Sequence, residues 1–148
     1  MKTLINKIAT SAAGLDTLPL RVGTGVIFAA HGAQKLFGWF GGYGLEGTAG
    51  WMTSIGLEPG LLMASMAGGA EFIGGLLLIV GLLVRPAALM LAVTMVVAFV
   101  TVHLQNGLFL ANNGYEFGLA LLAVSIGLVL RGAGSLSVDS VLQARLAS

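Results

Sequence analysis

A single carboxylate, Glu71, stands inside the apolar run 61–84, LLMASMAGGAEFIGGLLLIVGLLV. A stretch of that length is long enough to cross a bilayer, and an ionisable group within it is costly enough to require a partner or a function. The preceding apolar stretch, residues 18–40, carries His31 and Lys35 one helical turn apart and therefore on one face. Polar faces on two such helices must turn toward each other rather than toward lipid. One residue thus already calls for packed helices with a polar interior.

Composition agrees. Of 148 residues, 57% are hydrophobic and 9% charged, far from the balance of a soluble domain. The chain reads as all-α: a small integral membrane four-helix bundle forming a single domain. A net charge of +1 with no basic run excludes a nucleic-acid surface. The absence of cysteine removes thiolate nucleophiles, disulfide exchange, iron–sulfur clusters and cysteine-bound zinc. Redox chemistry in such a chain needs a bound cofactor or another subunit.

Four spans are expected at 18–40, 61–84, 86–104 and 115–130. Only Arg85 and Pro86 separate the second from the third, and a proline suits the first turn of a new helix, so these two form a tight hairpin. Lys2, Lys7 and Arg21 precede or open the first span, Arg85 lies in the hairpin turn, and Arg131 and Arg145 follow the fourth span. The excess of positive residues on this side predicts that both termini are cytoplasmic. The other side then holds two longer connections, 41–60 and 105–114, with Glu46 and Glu58 as formal charges. The first of them contains Tyr43, Trp51, Met52 and Ile55, so a short interfacial helix is expected over 48–55, anchored in the headgroup region or closing the mouth as a lid. Leu4, Ile5, Ile8, Ala12 and Leu15 suggest a second surface helix at the N-terminus, and no continuous apolar core of a signal peptide is present there.

Glycines are frequent within the spans, and Ala64-x3-Gly68 and Ala70-x3-Gly74 have the small-x3-small spacing that lets helices approach closely in lipid. Such faces serve internal packing or a contact in a homo-oligomer.

Counted inward at ~1.5 Å per residue, His31 and Glu71 both reach ~14–15 Å below the outer surface, with Lys35 a turn nearer to it. His103 and Glu116 stand at the outer ends of spans three and four. The five residues describe a polar funnel open to the outer face. Glu71 and His31 are suited to proton exchange, and a quinone headgroup uses such groups, because two protons must accompany two electrons. Lys35, His103 and Glu116 would line its entrance. The alternative is an internal clamp that neutralises Glu71 with His31 or Lys35, but a buried ion pair is often replaceable by apolar residues without loss of stability. The depths of His31 and His103 differ by ~10 Å, which disfavours bis-histidine haem and a metal held between them, so no metal site is expected. Asp16 and Asp139 lie on the opposite side, which disfavours a nucleophilic triad and hydrolysis.

The strings LRVGTGVIFAAHGAQKLFGWFGGYGLEGTAGWM, AGGAEFIGGLLLIVGLLVRPAALMLAVTMVVAFVTVHLQNGLF and NNGYEFGLALLAVSIGL resemble the DoxX family of bacterial membrane proteins. The resemblance covers roughly residues 20–139 and rests on His31-Gly32-x2-Lys35-Leu36-Phe37-Gly38, Ala70-Glu71-x2-Gly74-Gly75, His103 with Gly107 and Phe109, and Gly114-Tyr115-Glu116. It implies a four-helix protein of the inner membrane. Relatives include membrane subunits of a thiosulfate:quinone oxidoreductase and members of oxidant-defence complexes. The functions to be weighed are therefore a subunit of a quinone-linked oxidoreductase without covalent cofactor, a non-enzymatic anchor for soluble redox or detoxifying proteins, and a small transporter.

Overall fold

The computed structural model describes residues 14–147, and among these every regular element is helical. Four long helices, α1 (Thr17–Phe37), α3 (Gly60–Val80), α4 (Val84–Ala98) and α5 (Glu116–Arg131), are joined by a short α2 (Gly44–Ser54) and followed by α6 (Val138–Ala147). The N-terminal surface helix expected from the sequence falls on residues outside those described.

Each boundary has a local cause. α1 ends at Gly38, which takes up the left-handed conformation at φ 71° that an L side chain resists. That end comes before the expected Phe40, so the turn 38–42 folds back instead of extending the helix. α3 stops at Gly81 for the same reason, and the Leu82 N–H bonds back to the Leu77 carbonyl at 3.0 Å. The hairpin therefore breaks at 81–83, a few residues before the expected Arg85–Pro86, and Pro86 sits within the first turn of α4. α4 runs on through a π-turn at Phe99–His103 and a 3-10 turn at Leu104–Asn106. The loop helix is found over Gly44–Ser54, four residues earlier than expected at its start.

Helix α1 packs most extensively on α3, α4 on α5, and α3 on α4, while α5 touches α1 more lightly. The α1–α3 contact is backbone on backbone. A Cβ on Gly75 would stand 2.6 Å from the Gly25 carbonyl, and one on Gly32 would meet the backbone of Gly68 and Phe72. Gly25 and Gly32 lie two turns apart on one helix, as do Gly68 and Gly75 on the other, so the glycines make one antiparallel seam. Phe28, Leu78, Val84, Ala88, Leu91, Leu121 and Leu128 fill the interior.

Outward, the long helices present large apolar side chains such as Val26, Met66, Ile73, Leu76, Val93, Val96 and Ile126. A surface this apolar marks contact with a membrane or with another protein. Two stretches, Gly60–Val80 and Val84–Asn106, are long and apolar enough to cross a membrane.

Candidate functional site

The glycine seam sets the site. At Gly68 the absence of a side chain lets Lys35 and Leu36 of α1 come against α3, since a Cβ there would lie 3.2 Å from that of Lys35 and 2.8 Å from a Leu36 methyl. One turn further along α3 stands Glu71, only 3% exposed, and its Oε2 accepts from the Lys35 ammonium at 2.5 Å. Lys35 occupies the last turn of α1, where the helix dipole favours a cation. Its side chain is 26% exposed and lines a cleft of about 500 Å³.

The cleft is walled by Gln34 and Lys35 of α1, by the glycine turn, and by Tyr43, Thr48 and Trp51. Its roof, α2, is tied down by the Thr48 hydroxyl, which donates to the Lys35 carbonyl at 3.3 Å. The turn is held by Gln34, whose Nε2 donates to the Phe40 carbonyl at 3.3 Å, and by Gly42, where any side chain would strike the backbone of Gln34. Tyr43 is 84% exposed, and Trp39 and Phe40 are exposed beside it, a ring of aromatic side chains around the mouth.

The structure thus brings Lys35 and Glu71 together and sets the other three expected residues apart. The His31 side chain is exposed, and its ring lies 6.2 Å from the Phe117 ring of α5. His103 Nδ1 lies 2.8 Å from the Asn113 carbonyl, which can only accept, so Nδ1 carries the proton. Glu116 accepts from the Leu110 N–H at 2.6 Å. Both residues brace the loop between α4 and α5. Among the described residues, no group of three or more His, Asp or Glu could hold a metal ion.

Three residues were not singled out from sequence. Gln34 was legible in principle, being one turn from His31 and next to Lys35. Arg21, counted only as a topological charge, is 1% exposed, and its guanidinium donates to the Leu78 and Ile79 carbonyls, each at 3.1 Å, and to that of Leu136. Asp139 is 2% exposed and caps α4 by accepting from Leu83 N–H at 2.8 Å and Val84 N–H at 3.0 Å. No local pattern announces either role, because their partners are backbone groups more than fifty residues away.

Comparison with known proteins finds bacterial relatives. A Bacillus subtilis (strain 168) protein named "Putative oxidoreductase CatD" is 39% identical over 125 residues, covering 84% of this chain and 85% of that protein. Two uncharacterized proteins of Haemophilus influenzae are also similar, one 34% identical over 59% of this chain and 58% of its own length, the other 32% identical over 82% and 86%. No solved structure matches. The DoxX family model matches residues 17–104, which hold α1 to α4 and with them Lys35, Glu71 and the cleft, and the chain belongs to the DoxX family.

Proposed function

We propose that this chain is the membrane subunit of a quinone-linked oxidoreductase, with the cleft at Lys35 and Glu71 as its headgroup site. The observation that carries the reading is the Lys35–Glu71 pair, with a nearly inaccessible carboxylate and an ammonium open to a cleft of about 500 Å³. Lys35 has three N–H donors, and one is engaged by Glu71. The others are free to donate to a carbonyl oxygen in the cleft. A quinone takes up two electrons and two protons to become a quinol; Lys35 can donate one proton to an acceptor oxygen, the second proton and the one that restores the ammonium come from water reaching the cleft, and the Glu71 carboxylate holds Lys35 in place. Trp51 and Tyr43 offer aromatic faces to a planar ring. Electrons come from a soluble redox partner or from the reduced substrate it serves, such as a sulfur compound.

In this reading α1, α3, α4 and α5 all span the bacterial inner membrane, with both termini cytoplasmic and the cleft on the outer side. The exposed apolar belt and the clustering of Arg21, Arg85 and Arg131 at the end away from the cleft support it. His31 lies one turn of α1 from Lys35, while His103 and Glu116 support the neighbouring loop.

One observation favours a second reading, a non-enzymatic anchor: the ion pair is already satisfied without a ligand. The test is extraction of the purified protein for mass spectrometry. Near-stoichiometric quinone in the wild type, absent from Glu71→Gln of equal helicity, supports the headgroup site. No quinone in either protein, and none taken up on titration, gives the anchor its case.

A further inference from the structure

A second hollow, of about 640 Å³, lies on the other side of α2, between α3 and α4. Its lining includes Met52, Met63, Met66 and Met90, whose unbranched thioether side chains adapt to an irregular apolar occupant. Only two hydroxyls enter the lining, and neither is available. Ser65 donates to the Leu61 carbonyl at 2.8 Å and Thr94 to that of Met90 at 3.0 Å, each within its own helix. The groove therefore offers a ligand contact area and no hydrogen bond.

Its position relates it to the cleft. Trp51 lines the cleft and the next residue, Met52, lines the groove, so the two hollows lie on neighbouring sides of one turn of α2. Ala70, beside Glu71, is also in the groove wall. At Gly69 no atom lies within 4 Å of where a Cβ would stand, which keeps the floor open. We infer that the groove holds the isoprenoid chain of the quinone whose headgroup occupies the cleft, with the chain passing beside α2. This rests on the headgroup reading above and adds to it a substrate class, long-chain isoprenoid quinones. Branched, unsaturated chains suit a shallow, uneven groove lined by methionines.

A chain arriving from lipid gains little from leaving water, so its affinity must come from packing in the groove. The experiment uses the full chain in phosphatidylglycerol nanodiscs, with Trp fluorescence quenching by ubiquinones of one and of four isoprene units at matched mole fractions in the lipid. The wild type is expected to bind the longer quinone about tenfold more tightly, a difference that packing contacts can supply. Gly69→Leu and Val93→Phe, which fill the groove from α3 and from α4, should reduce that ratio to about one and leave the one-isoprene affinity unchanged. Equal affinities in the wild type would overturn the proposal, since the lipid's own acyl chains would then hold the groove equally well. So would a ratio that survives both substitutions. Failure of the wild type to bind either quinone would instead remove the headgroup site, and the tail site with it.

Discussion

Arg21 and the Lys35–Glu71 pair are both buried charge sites along the α1–α3 seam, one toward each end, and they are built on opposite plans. Arg21 gives its charge to the backbone: it donates to two carbonyls in the last turn of α3, where Gly81 N–H already reaches Leu78, and to a third in the segment leading to α6. Asp139 does the converse at the start of α4, and Leu83, held at φ 50° despite its side chain, has its N–H engaged by that carboxylate. Lys35 and Glu71 instead give their charge to each other, and neither side chain bonds to a backbone carbonyl or N–H at a helix end. A charge that completes a helix end is part of the fold. A charge pair that completes nothing, beside a cleft, is open to another use.

The largest effect that would sharpen this contrast is expected at Arg21. Arg21→Met leaves the Ile79 and Leu136 carbonyls without their donor, takes one of two from Leu78, and should cost roughly 3–5 kcal/mol, read as lost thermal stability in detergent. Arg21→Lys should recover only a minor part, because one ammonium does not reproduce a fork spread over three carbonyls. Asp139→Ala should follow at about 1–2 kcal/mol, the range for a lost N-cap. If both variants kept wild-type stability, the division between structural and available charge would collapse.

What sequence could and could not reveal follows the same division. Glu71 and Lys35 were legible because a charge inside an apolar run is anomalous on its own, whatever it faces. The helices were legible from apolar length, but two of their ends were expected at 40 and 84 and stand at 37 and 80, because the left-handed turns at Gly38 and Gly81 leave no mark in hydropathy. Which of His31 and Lys35 would meet Glu71 was not legible, since both lie on one face of α1 within a turn. Gly68 decides it, by admitting Lys35 and Leu36 against α3 while His31 turns toward Phe117 of α5. His103 and Glu116 looked like pocket residues because loop contacts within ten residues leave no mark in hydropathy. The partners of Arg21 and Asp139 are set by how α6 returns to the hairpin, which no residue pattern encodes.

The double variant Lys35→Met/Glu71→Leu breaks the comparison from the other side. Removing both charges together and replacing them with apolar groups of similar size should change stability by less than about 1 kcal/mol, or raise it. Quinone binding should be lost. Glu71→Leu alone leaves an ammonium that the cleft can hydrate, so a cost of about 1–2 kcal/mol is expected, smaller than for a fully enclosed charge. A double variant as damaged as Arg21→Met would mean that the pair is needed for folding, and the reason to assign it a chemical role would disappear.

The smallest effect is expected at a third charge pair, which serves as a control for the other two. Arg131 donates to Asp16 at 2.9 and 2.6 Å from Nε and an NH2 group, a geometry as good as that of Lys35 with Glu71, yet both side chains are about half exposed. Water solvates these groups with or without the partner, and salt screens what attraction is left. Asp16→Asn should therefore cost less than about 1 kcal/mol, and the difference from wild type should vanish in high salt. Distance alone would rank this pair beside the buried one. If the two responded alike to salt and to substitution, burial would not be what separates them, and the case for Glu71 as more than an ordinary ion-pair partner would rest on the cleft alone.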